Sequence, residues 1–252
     1  MNQTKIIAVA GKGGVGKTSV AAVIVKELVE RYPDKKILAI DADPAIGLST
    51  ALDIEVTKTI DDIRKEAVAA TEQGKNAVVE ILGNAEYSIQ DAIVESNGFS
   101  FVAIGRPEAA GCYCKINTYL KDVIAKISEY YDFVVIDGEA GIEQINRRVM
   151  EKVTHLILIT DQSKKGLDVI KTIKSVADDL VMYERIGAIA NRLPSKEIGE
   201  KLNFDGIEPL TFIPIDTELA TYDMSGENVF YLPETSPVCV GAKEALTKMG
   251  LI

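Results

Sequence analysis

The chain has 252 residues, 28 Lys and Arg against 38 Asp and Glu, a formal net charge of −10, and 47% hydrophobic residues. That suits one α/β domain or two small ones with a sizeable core, and the acidity argues against nonspecific binding to nucleic acid, which needs cations against phosphates. No stretch approaches the ~20 apolar residues of a membrane span, and no basic segment with a small-residue cleavage site precedes the first apolar run, so the expectation is a soluble cytoplasmic protein. Three cysteines, two of them one residue apart, do not make a disulfide framework.

In chain order, apolar runs at 5–10, 36–40, 99–104, 133–136, 155–160, 186–190 and 210–213 read as strands. They are continuous rather than alternating, as parallel strands buried on both faces require. Helical patterns at 17–32, 118–131, 143–152, 165–181 and 236–249 fall between them. This alternation predicts an α/β fold with a doubly wound, mostly parallel seven-stranded sheet and a ligand at its C-terminal edge. No linker or repeat divides residues 1–252, which read as a single domain. The segment 53–98 breaks the rhythm with short amphipathic helices at 59–70, 76–82 and 89–95. It reads as a helical elaboration packed on the sheet, with a partner-docking surface as the alternative.

Between the first strand and the first helix lies Gly11-Lys12-Gly13-Gly14-Val15-Gly16-Lys17-Thr18, followed by Ser19. Strand, glycine loop and helix is the setting of a phosphate-binding loop. Glycines let successive N–H groups turn toward phosphate oxygens, and the helix N-terminus adds partial positive charge. Lys17 is expected on the β- and γ-phosphates and Thr18 on Mg²⁺. Gly11, Gly13 and Gly16 also satisfy G-x-G-x-x-G, with Asp41 placed as a ribose-binding acid would be. That dinucleotide fingerprint does not call for Lys17-Thr18, whereas a phosphate loop requires both.

Asp41-Ala42-Asp43-Pro44-Ala45 ends the second strand. Acids there face the γ-phosphate and its metal: Asp43 to orient the attacking water, Asp41 to serve the metal shell or the loop. Phe133-Val134-Val135-Ile136-Asp137, with Gly141 beyond it, reads as a Walker B strand whose acid holds Mg²⁺. Asn191 ends another strand; its amide suits a purine edge, and a plain turn residue is the alternative. His155, the sole histidine, and Cys239, in the last helix, read as structural.

Lys12 to Thr18, with the extra early lysine, resembles the deviant Walker A loop of the MinD, ParA, arsenite-pump and nitrogenase-iron-protein ATPases. The resemblance covers nearly the whole chain. It implies that Asp41 to Ala45 is switch I, that Asp137 to Gly141 is switch II, and that Asn191 and Pro214 contact adenine. It also implies that Lys12 crosses a nucleotide-sandwiched homodimer to the other subunit's phosphates. Gly111-Cys112-Tyr113-Cys114-Lys115 narrows the resemblance to the CooC-type nickel-insertion ATPases that serve carbon monoxide dehydrogenase. That branch implies an ATP-hydrolysing metallochaperone with a client metalloenzyme. Two thiolates per chain are too few for a closed tetrahedral site, so Cys112 and Cys114 from both subunits would share one Ni²⁺ or Zn²⁺. An iron–sulfur ATPase and a nucleotide-switch positioning protein of the same family are the alternatives. Against the second, residues 241–252 lack a basic amphipathic membrane-binding pattern.

Overall fold

The computed structural model describes residues 3–45, 47–70, 83–106, 114–138, 149, 151–180 and 182–252. The strands are β1 (Lys5–Gly11), β2 (Ile37–Asp41), β3 (Val94–Glu95), β4 (Ser100–Ala103), β5 (Phe133–Asp137), β6 (His155–Thr160), β7 (Arg185–Leu193) and β8 (Pro209–Pro214). They form one eight-stranded sheet in the order β3-β4-β2-β5-β1-β6-β7-β8. All pairs are parallel except the two-residue ladder of β3 with β4.

The sheet thus has one strand more than the seven read from the sequence. The extra one, β3, falls within the expected helix 89–95. That helix is displaced to Ala85–Ala92, and Ile93 turns to extended backbone, which lets Val94 and Glu95 add to the sheet edge. A two-residue ladder carries too short a pattern to be read by periodicity.

Residues alternate faces along each strand. On β1, Ile7 and Val9 pack under α1 (Lys17–Arg31) and the last helix, Pro237–Lys248, with Val20, Val23, Ile24, Val238 and Leu246. Ala8 and Ala10 face the opposite layer, built by the helices Ile60–Ala69, Ala85–Ala92, Cys114–Ser128 and Lys164–Asp179. Helices on both faces explain the unbroken apolar strands. The helix at 60–69 starts with a capping box, Thr59 accepting from the Asp62 amide and Asp62 accepting from the Thr59 amide. The expected helices at 76–82 and 143–152, and Gly141, lie outside the described residues save for a few positions near 150.

Four short elements carry no sequence expectation above: helices Gly47–Ala51, Lys196–Gly199 and Thr217–Ser225, and a 3₁₀ turn at Val229–Tyr231. No described helix is long and apolar enough to cross a membrane.

Candidate functional site

Strand order fixes where the site forms. The chain leaves β1, builds β2 and β4 on one side, returns to β5 beside β1, and then places β6 on β1's other flank. β1 is therefore the switch point, where crossovers diverge and leave a crevice at the strand ends. Residues 12–16 occupy that crevice.

Gly16 is the N-cap of α1, at φ +87. A side chain there would be strained, and its Cβ would stand 2.7 Å from Asn191 Nδ2. Gly13 and Gly14 are exposed, with open space where a Cβ would sit. No side chain among the described residues caps α1, so its first amides are available to an anion. Lys17, Ser19 and Val15 are buried, and Thr18 is partly so. Lys17 Nζ donates to the Lys12 carbonyl at 3.2 Å.

The loop is held from β7. Asn191 Nδ2 donates to the Val15 carbonyl at 2.9 Å, and Arg192 Nη1 donates to the Gly14 carbonyl at 2.8 Å. Arg192 does so from a left-handed backbone, φ +59, at the register irregularity that ends β7. Asn191 is buried, and its Oδ1 accepts the Arg192 amide. Its Nδ2 thus holds the loop and its Oδ1 the backbone of β7, which leaves one N–H and one lone pair of the amide for a purine edge. Pro214 lies half-buried at the end of β8, opposite Leu193 of β7. It borders the same strand ends.

Two buried acids stand side by side. Asp41 of β2 and Asp137 of β5 are register partners, both at 0% exposure. Their surroundings differ. Asp41 Oδ1 accepts the Asp43 amide at 3.1 Å and Oδ2 the Leu48 amide at 2.9 Å, so this carboxylate ties Asp43 and Leu48 to the end of β2. Burial pushes its pKa to about 6 despite those donors. Asp137 has no such support: neither oxygen accepts a hydrogen bond of normal geometry, although Thr18 lies against it. Burial, with the charges of Asp41 and Asp43 added, raises its pKa to about 7 against the pull of Thr18 and Lys17. A buried carboxylate without a donor suits a hard cation, whose charge replaces the missing hydrogen bonds. The residues present thus fit Mg²⁺ at Asp137 and Thr18 better than at Asp41. Asp43 is partly exposed, and its Oδ1 accepts the Ala45 amide at 2.9 Å.

Lys12 Nζ donates to Asp161 Oδ2 at 2.7 Å and to Ser163 Oγ at 3.3 Å. The sequence reading missed Asp161, Ser163 and Arg192. Asp161 follows an apolar strand on the far flank of β1, a position parallel to that of Asp137, and that was its legible signal.

Cys112 lies outside the described residues. Cys114 opens the helix Cys114–Ser128, its side chain outside them too. Among the described residues, no group of three or more His, Cys, Asp or Glu is arranged to hold a metal ion. His155 is buried at the start of β6, its Nδ1 2.7 Å from Thr154 Oγ1, and Cys239 is buried in the core. Both are structural, as expected.

The AAA domain family model matches residues 4–185. The chain is 37% identical over 249 residues, 97% of its length and 98% of the other, to an uncharacterized ATP-binding protein of Methanocaldococcus jannaschii. It is 28% identical over 257 residues, covering 95% of this chain and 94% of the other, to the carbon monoxide dehydrogenase accessory protein CooC of Rhodospirillum rubrum. The septum site-determining protein MinD of Pyrococcus horikoshii, solved with Mg-ADP, shares the fold: TM-score 0.70, 21% identity, 98% of this chain and 96% of that one covered. The family match spans most of the chain and falls on the loop just described; the chain belongs to the AAA domain family and is a P-loop ATPase.

Proposed function

We propose that this ATPase is a metallochaperone: a homodimer that closes on ATP, carries Ni²⁺ or Zn²⁺ as cargo, and assists nickel insertion into a client enzyme such as carbon monoxide dehydrogenase. One observation carries the reading. Cys112-Tyr113-Cys114 stands in a chain similar, end to end, to a carbon monoxide dehydrogenase accessory protein.

In this reading the loop amides of Gly13, Gly14 and Gly16, with those of Lys17, Thr18 and Ser19, cradle the phosphates. Gly11 lets β1 turn into that loop. Lys17 leaves the Lys12 carbonyl for the β- and γ-phosphates. Thr18 and Asp137 hold Mg²⁺, which neutralises phosphate charge when bound. Asp41 fixes the loop that carries Asp43, and Asp43 orients the attacking water. Asn191 and Arg192 brace the loop from behind while Pro214 borders the base. Lys12 reaches the partner subunit's nucleotide. Cys112 and Cys114 of both subunits supply four thiolates; four sulfurs suit Zn²⁺ tetrahedrally, and Ni²⁺ accepts a square plane.

The test is metal analysis with mass measurement of the full chain without nucleotide, with ADP and with a nonhydrolysable ATP analogue. One ion per dimer, lost in both Cys112→Ala and Cys114→Ala, is expected, and added metal should itself promote dimerisation. One ion per monomer, or tight binding kept by either variant, rules out the shared site.

A further inference from the structure

Lys12 is the residue assigned above to the partner's nucleotide, yet within one chain it is already engaged. Its Nζ meets Asp161 Oδ2 at 2.7 Å, and both side chains are about a quarter exposed. The carboxylate is not a casual neighbour. Its other oxygen, Oδ1, accepts the Ser163 amide at 3.1 Å and the Ser163 hydroxyl at 2.5 Å. Ser163 in turn caps the helix Lys164–Asp179, its Oγ accepting the Gly166 amide at 3.0 Å. Gly166 completes the seat: a Cβ there would overlap Asp161 Oδ1 and come within 2.6 Å of Thr160 Oγ1. Strand end, helix cap and missing side chain together fix one oxygen and aim the other at Lys12. Burial acts to raise the Asp161 pKa, but the hydrogen bonds from Lys12 and Ser163 outweigh it and keep the group below its ordinary value, so it is ionised at neutral pH.

We propose that Asp161 is a positioning residue that latches Lys12 within its own subunit, so that the lysine becomes available to a second copy of this chain only when the ion pair opens. The inference rests on the cross-subunit role of Lys12. The latch opposes closure twice per dimer, once for each subunit, and so sets the protein concentration at which ATP drives dimerisation. It also keeps a lone subunit from turning its own lysine onto its own nucleotide.

Each partly exposed pair contributes a factor of about three to five, so two give roughly ten- to twenty-five-fold in the dimer dissociation constant. Sedimentation of the full chain with a nonhydrolysable ATP analogue, across protein concentration, reads this directly. Asp161→Asn is expected to dimerise at roughly ten- to twenty-five-fold lower concentration than wild type, with ADP affinity of the monomer unchanged. Gly166→Ala, which pushes the carboxylate off its seat without removing it, should move the midpoint the same way, and it stands in if Asp161→Asn does not fold. In a Lys12→Ala background, Asp161→Asn should have no further effect, because the latch acts only through that lysine. Dimerisation unchanged or weakened in both Asp161→Asn and Gly166→Ala, while Lys12→Ala alone weakens it, overturns the latch and leaves the cross-subunit lysine standing. An equal effect of Asp161→Asn with and without Lys12 also overturns the latch. Dimerisation indifferent to Lys12→Ala overturns the cross-subunit role itself, and the latch with it.

Discussion

Asp137→Asn should stabilise the nucleotide-free protein at alkaline pH and do nothing comparable in acid. The carboxyl group is wholly buried, has only Thr18 beside it among the described residues, and has its pKa raised from 3.8 to about 7. Between those values the folded chain holds a proton that the unfolded chain has released, so stability falls as pH rises through the window. The full rise corresponds to about 4 kcal/mol lost above pH 7. An asparagine amide removes the charge but leaves polar atoms poorly partnered, which costs about 1–3 kcal/mol. The balance favours the variant by about 1–3 kcal/mol, or roughly 3–10 °C in melting temperature for a chain of this size. Thermal melts at pH 8 and pH 5, without Mg²⁺ or nucleotide, test this. At pH 5 the wild-type carboxyl is protonated and the advantage should vanish. At pH 8 with Mg²⁺ and ATP, the wild type should gain more than the variant. A variant less stable than wild type at pH 8, or a difference that ignores pH, would refute the argument that this carboxylate is a buried charge awaiting a cation.

Lys17→Ala removes the charge proposed for the β- and γ-phosphates, and phosphate release should fall to near background. Asp43→Asn should bind nucleotide normally while hydrolysing at least tenfold more slowly, since its proposed task is the water; equal loss of binding and turnover would move Asp43 into the metal shell. Burial, with the charge of Lys5 beside it, lowers the His155 pKa to about 4 from 6.5, so the protein should lose stability as pH falls through that range. His155→Gln should flatten that acid limb in a pH series of denaturant melts, and an unchanged limb would show that other groups carry it.

The fold was legible because burial writes itself along the strands. Every expected strand is present, and Ile7, Ala8, Val9 and Ala10 each face a core on their own side. The phosphate loop was legible because lysine, glycines and threonine are local in sequence. Less was visible where a role depends on partners far along the chain. Asp41 and Asp137 look alike as strand-ending acids, and only the structure shows that the amides of Asp43 and Leu48 occupy one while the other has none. Asn191 reads as a purine contact from its amide alone, and only the structure shows that it also holds Val15 and the Arg192 amide. The helix Thr217–Ser225 was recoverable: Asp216 caps it by accepting the Leu219 amide, and Gly226 at φ +69 stops it.

The register explains why these roles divide as they do. Asp41 and Asp137 end neighbouring parallel strands at the same level, so two carboxylates meet where water is excluded and cannot ionise equally well. The chain gives backbone donors to the first and none to the second, the arrangement behind the cation proposed at Asp137. On the other flank of β1, Gly11 pairs with Ile159, and Asp161, the residue after β6, comes within reach of the Lys12 side chain. That acid is partly exposed and finds its counter-ion in a lysine side chain. Three acids at the ends of β2, β5 and β6, around the central β1, thus differ in their partners: an amide pair for Asp41, a lysine for Asp161, and for Asp137 the cation proposed above. The two fully buried sites cannot exchange partners without unfolding the edge. The Lys12–Asp161 pair can open at the surface, and it is the one of the three placed to respond to a second subunit.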